Sequence, residues 1–339
     1  MVLSGVEGPA GPRVETLGIE ALEAFGIGSA SDERGGTGCT VVVCAEGAVA
    51  AIETRGGSTG TREVEGLDPA GARSSVHAVL LAGGSAFGLE AAGGVVRALE
   101  ERGIGRDVGL CRVPIVCGAV LFDLGCGDFR ARPDAGMGYA AAASALERKS
   151  VAQRGNVGAG TGATVGKARG RDFCVKGGLS STCLRMGELL VGAVVAVNCF
   201  GDLVDPERGR IVAGTRGDAA GSWADSESCV LAREGKGKDF FSGNTIIGCV
   251  LTNAALGKPE AKRIASVAHD GIARTVRPSH SRWDGDALFA LSSGSVEADL
   301  DAVAILAVRA VEASILDAVA SARSAYGVPS SSDWARGIR

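Results

Sequence analysis

The stretch KDFFSGNTIIGCVLTNAALGK (residues 238–258) runs a charged, glycine-bearing loop straight into an apolar segment. Gly243 and Asn244 lead directly into Thr245, and Ile246 to Leu251 continue without a polar residue. Successive side chains of a strand point to opposite faces, so a strand apolar throughout needs cover on both sides. Thr245 therefore opens a buried strand, with a loop on its amino side. The pattern raises two questions: what covers both faces, and what a hydroxyl does at that junction.

Working outward, the chain after Thr245 reads strand, helix (PEAKRIASVAHDGIARTV), strand (DALFALSS) and a long Ala/Val-rich helix over 299–323. Before it, residues 206–243 turn polar and predict a long irregular linker. Further upstream, DFCVKGGLSSTCLR and ELLVGAVVAVNCFGD read as two strands. PDAGMGYAAAASALERK reads as a helix capped by Asp134, and VPIVCGAVLFDL (113–124) as a buried strand. SVHAVLLAGG breaks at Gly83-Gly84 into a helix with Ser85 as its cap and Gly103 as its stop. TGCTVVVCAE and AVAAIETRGG predict two strands around a turn at Glu46-Gly47, and residues 1–35 an irregular lead-in. Strands and helices that are apolar nearly throughout imply a layered α/β sandwich, with sheets inside and helices outside.

Composition narrows the function. The 339 residues carry a net charge of −4 with no long basic run, which argues against nucleic acid as the partner. Aromatics make up 4%, so the core is built from Ala, Val, Leu and Ile, and the 53 glycines serve tight turns and close backbone packing. No apolar run reaches the ~18 residues of a membrane span. Ten cysteines lie mostly in apolar strands with no C-x-x-C pair, and the start has no signal-peptide pattern, so buried thiols in a reducing cytoplasm are expected. Only His77, His269 and His280 are present, which argues against a multi-histidine metal site; no metal and no cofactor are expected.

The glycine-rich GNVGAGTGATVGKARG (155–170) offers a loose G-x-G-x-x-A, but TVGKARGRDF is a poor helix and no acidic residue stands at the required distance. A tight packing turn, or a catalytic wall contributing Lys167, are the readings left open. GGSAFG reads as a packing turn or a wall of the site, and His269 and His280 as helix-face and loop residues. A threonine hydroxyl needs a base within reach. With histidine scarce, one candidate is its own α-amine, which exists only if the Asn244–Thr245 bond is cut. An α-amine titrates near 8, against about 10.4 for lysine, so cleavage would create a base of useful strength beside the hydroxyl. The bland alternative is a turn leading into a β-branched strand starter.

The segments TGCTVVVCAEGAVAAIETRGGSTGTRE, VHAVLLAGGSAFGLEAAGGVVRALEERGIG, VPIVCGAVLFDL, GNVGAGTGATVGK, VGAVVAVNCFGD, GNTIIGCVLTNAALGK and HDGIARTVRPSHSRWDGDALFAL occur in this order. As a set they resemble the DmpA-like peptidases, the L-aminopeptidase/D-amidase-esterase family that includes β-peptidyl aminopeptidases and a nylon-oligomer hydrolase. The resemblance spans roughly residues 28–330 and implies one four-layer αββα domain. It further implies self-cleavage into fragments 1–244 and 245–339 that stay associated, in a homo-oligomer, a tetramer of processed units. Thr245 would be the nucleophile and Asn244 the donor of the scissile carbonyl. Lys167 would stand beside the nucleophile and hold its oxygen, Asn198 would help hold the oxyanion, and Asp284 and Asp286 would lie near the new amine. Phe122 stands where some members have an oxyanion-donating Tyr, Ile246 where many have a second Thr, and Ala287 where Thr is commoner. Phe122 and Trp283, with the loop before Asn244, are expected to wall a pocket for a short peptide or amino-acid amide. An acyltransferase of the ornithine acetyltransferase type, or an uncleaved non-catalytic homologue, are the alternatives.

Overall fold

The computed structural model describes residues 13–72, 75–147, 153–232 and 243–337. In chain order the principal strands are β1 (Gly26–Asp32), β2 (Thr37–Arg55), β3 (Val76–Ala82), β4 (Val116–Val120), β5 (Gly178–Met186), β6 (Leu189–Asn198), β7 (Thr245–Ala254) and β8 (Asp286–Val296). The principal helices are α1 (Ala91–Glu100), α2 (Ala135–Leu146), α3 (Lys258–Thr275) and α4 (Leu300–Ala320).

Two sheets share β2. Its first half, residues 37–43, pairs with β1 and β3, and β3 pairs in parallel with β4. Its second half, residues 49–55, pairs with β8; β8 runs parallel to β7, and β6 and β5 come next, antiparallel. The expected hairpin at Glu46-Gly47 is instead a kink within one strand: Gly47 adopts φ +84 and the register shifts between Val43 and Ala48. A positive-φ glycine bends the strand without reversing it, because each half finds its hydrogen bonds in a different sheet.

Three buried clusters define four layers. Val42 and Ala50 of β2, Val79 and Leu81 of β3, Val194 and Ala196 of β6, and Ile247 and Cys249 of β7 meet between the sheets. On the outer face of one sheet, Val195, Ile246 and Val250 pack on Ile264 and Ile272 of α3 and Val311 and Ile315 of α4. On the outer face of the other, Val41, Val43 and Leu80 pack on Val95 and Leu99 of α1 and Ala141 and Ala145 of α2. Neighbouring residues such as Ile246 and Ile247 thus serve different cores, which is why these strands are apolar throughout. The order is helices, sheet, sheet, helices: the αββα sandwich.

Several local expectations change. Asp134 does cap α2, accepting from Met137 N at 2.8 Å. Ser85 does not cap α1; with φ +54 it opens a 3₁₀ turn (Ser85–Glu90) that precedes the helix, and its N–H goes to Leu121 O. The lead-in holds β1, a partly apolar strand on the edge of β2. The described part of 206–243 contains a short strand (Arg210–Ala213) and a helix (Ser226–Leu231). Both hang on buried Asp202, which accepts from Thr215 N at 2.7 Å and from Ser226 N and Oγ at 2.6 Å each. That anchor lies outside the polar run, so composition alone could not reveal it. Residues 233–242, the rest of the predicted linker, lie outside the described residues. All ten cysteines are free thiols, and among the described residues no helix is long and apolar enough to cross a membrane.

Candidate active site

β6 and β7 pair so that Asn198, the last residue of one, faces Thr245, the first of the other. Where β7 begins, Asn244 bridges to Asp284 just before β8. Parallel pairing of β7 with β8 therefore carries the Asp284-Gly285-Asp286 turn to the nucleophile candidate. Thr245 is only 4% exposed, and its Oγ1 donates to the carbonyl oxygen of Asn244. The same oxygen accepts the backbone N–H of Gly285 at 2.9 Å. Asp286 Oδ1 accepts the N–H of Ile246 at 2.7 Å, pinning the residue after Thr245.

Asn198 is a fully buried hub. Its Oδ1 accepts from Thr164 N and Lys167 Nζ, both at 3.0 Å. Its Nδ2 donates to Phe122 O at 2.9 Å and Gly243 O at 3.4 Å. Lys167 Nζ also donates to the backbone oxygens of Asn198 at 3.0 Å and Cys199 at 3.3 Å. Among the described residues its hydrogen bonds go there and not to the Thr245 hydroxyl, so its hold on the nucleophile is indirect, through Asn198. Burial pulls the Lys167 amine down to about 8. Asp284 accepts from Ser281 N at 2.7 Å, while its Oδ1 is buried with no hydrogen-bond partner. Burial first, and then the negative charge of Asp286, push the Asp284 carboxyl up to about 6.

Phe122 and Trp283 join Asn244 and Thr245 around a cleft of about 220 Å³, with Ser58, Gly60, Ser85 and Val120 on its walls. Ser85 places the GGSAFG turn at the site as a wall. The loop 233–242 lies outside the described residues, but Gly243 lines this cleft.

Sequence reasoning missed three contributors. His280 hydrogen-bonds through Nδ1 to Asp286 Oδ2 at 2.7 Å, and its ring meets that of His269 edge-on with centroids 5.1 Å apart. His269 in turn contacts Glu53 O through Nε2 at 3.0 Å, and burial lowers its pKa to about 4, so it stands neutral. Gly285 supplies the backbone donor at the Asn244 carbonyl. Buried Lys176 donates to Thr161 O at 2.9 Å and Ala163 O at 2.8 Å, bracing the glycine-rich segment that presents Thr164 and Lys167. The Gly between two Asp in WDGD was a signal for a backbone turn, but not for where its N–H points.

The model of peptidase family S58 matches residues 20–331. An uncharacterized aminopeptidase of Mycobacterium leprae is 44% identical over 77% of this chain and 72% of its own length. A 6-aminohexanoate-oligomer endohydrolase of Paenarthrobacter ureafaciens is 31% identical over 91% of this chain and 85% of its own. Among solved structures, a Burkholderia β-aminopeptidase superposes with TM-score 0.63 at 20% identity, covering 93% of this chain and 91% of its own. The L-aminopeptidase D-Ala-esterase/amidase of Ochrobactrum anthropi, described as a variant of the Ntn hydrolase fold, superposes with TM-score 0.62 at 18% identity, covering 95% and 89%. A family match over nearly the whole described chain, on a fold of the Ntn hydrolase type, decides the assignment: the chain belongs to peptidase family S58 and is a hydrolase of peptide or amide bonds.

Proposed function

We propose that the protein is a self-processing aminopeptidase or amidase in which Thr245 is both the site of cleavage and, afterwards, the amino-terminal nucleophile. The observation that carries this reading is the environment of the Asn244 carbonyl: one oxygen receives the Thr245 hydroxyl and the Gly285 N–H together. An N–H fixed there can stabilise the negative charge that develops when Oγ1 adds to the carbonyl carbon, a term of about 3 kcal/mol for a good donor. In the first step the Oγ1–C bond forms, the C–N bond to Thr245 breaks, and the hydroxyl proton passes to the leaving nitrogen. Water then opens the ester, freeing the Asn244 carboxylate and the Thr245 amine.

In the processed enzyme that amine takes the hydroxyl proton while Oγ1 attacks a substrate amide. Gly285 N–H and Asn198 Nδ2 hold the oxyanion; Asn198 can do so once the chain ending at Asn244 withdraws the Gly243 carbonyl. The Lys167 cation keeps Asn198 oriented and disfavours a protonated amine nearby. Asp284 and Asp286 steer the new terminus, and His280 holds Asp286. The relatives' names support substrates with amide bonds to amino acids, of short peptide or ω-amino-acid type. The experiment is Thr245→Ala: the chain is expected to fold normally by circular dichroism, to stay uncut, and to leave aminoacyl p-nitroanilides intact. Cleavage or activity in that variant contradicts the proposal.

A further inference from the structure

A second cavity, of about 260 Å³, opens on the other side of Gly243 and Phe122 from Thr245. The two hollows share those residues. A side chain on Gly243 would collide with Phe122 Cγ, so the Gly243–Asn244 segment is pressed against the ring as a partition between them. The lining of the second cavity is cationic. Lys167, Arg171 and Arg216 face it, against Asp172 and Asp123. Asp123 is buried, tied to the Thr37 hydroxyl at 2.7 Å and Gly84 N–H at 2.6 Å, and burial favours its neutral form.

The Arg171 guanidinium lies across Gly125, 5.2 Å from the centroid of the Phe122 ring. Arg216 spends one donor on the backbone oxygen of Asp172, and its buried Nε has no partner. Neither arginine forms an ion pair with a described residue. A buried guanidinium donor without an acceptor is costly, and a planar fork of N–H groups is the geometry that carboxylates fit.

We propose that this cavity is the subsite for a carboxylate on the acyl side of the substrate, so that the enzyme favours amides whose acyl residue carries a distal acid. The inference rests on the Thr245 reading. In self-cleavage the acyl group is Gly243–Asn244, the partition itself. A substrate acyl group attacked by the same hydroxyl takes the place that segment vacates, and its far end passes Phe122 toward Arg171 and Arg216. A carboxylate on the leaving group would lie on the opposite side of the attacked carbon.

The test compares L-glutamyl and L-glutaminyl p-nitroanilides, nearly isosteric and differing by one charge. The processed enzyme is expected to favour the glutamyl substrate in kcat/KM by roughly tenfold, chiefly through KM, as charge-assisted hydrogen bonds imply. In Arg216→Met and Arg171→Met the glutamyl-to-glutaminyl ratio falls toward one, and Arg216→Lys restores part of it. A wild-type ratio at or below one overturns the proposal, whether or not the variants fold. So does a preference that survives both arginine variants. A charge preference confined to the leaving group, seen as leucyl-glycine favoured over leucyl-glycinamide, also overturns it. Processed, active enzyme without the preference sinks this inference alone; activity in Thr245→Ala sinks the reading beneath it.

Discussion

Asp284 is 2% exposed and lies beside a second carboxylate, which together hold its pKa near 6 against an ordinary 3.8. A carboxyl whose folded pKa exceeds its unfolded value binds its proton more tightly in the fold. The folded state is therefore penalised at pH above about 6, and the penalty vanishes below about pH 4. Asp284→Asn is expected to raise Tm at pH 8, by at most about 3 kcal/mol of stability, with the gain closing as pH falls toward 4. A lower Tm at pH 8 contradicts this. Lys167→Met leaves the buried oxygens of Asn198 without their cation, at a cost of about 1–3 kcal/mol, so fragment formation should slow by roughly 10- to 100-fold on a gel time course. Unchanged kinetics would remove Lys167 from the site. Thr245, Asn198 and Lys167 were legible because each is a polar residue closing or opening an apolar run. His280, Gly285 and Lys176 were not, because their partners are fixed by loops and backbone direction rather than by spacing along the chain.

At the scale of elements, β2 is the device that joins the two sheets, and it depends on Gly47. Its φ of +84 strains any side chain, and a Cβ there would meet Ser75 Cβ and Oγ at 3.1 Å. Gly47→Val should cost about 1–3 kcal/mol, seen as a lower urea midpoint with an unchanged slope; an unshifted midpoint would mean the bend does not need glycine. The sequence suggests a hairpin here because a polar Ala-Glu-Gly between apolar runs looks the same whether the chain reverses or only kinks. Asp202 plays the corresponding part for residues 210–231. Asp202→Ala should open that stretch to limited proteolysis while α3 and α4 stay protected, and an unchanged digestion pattern would show that the helix Ser226–Leu231 stands without it.

For the whole molecule, the four layers were readable because strands such as β6 and β7 are apolar on both faces, a pattern only a doubly covered sheet explains. The proposed cut falls at the edge of this architecture, yet the pieces it makes are interleaved. β7 and β8 lie between β6 and the second half of β2, and α3 and α4 cover them. Fragments 1–244 and 245–339 should co-elute on gel filtration and part only in denaturant; separation in buffer would contradict the interleaving. The central claim is that the chain severs itself before Thr245. Intact mass spectrometry of freshly purified, catalytically active protein tests it most directly. The account predicts two masses, the smaller being a 95-residue chain (339 − 244 = 95) that begins with Thr245. A single active species at the full 34.0 kDa would contradict it.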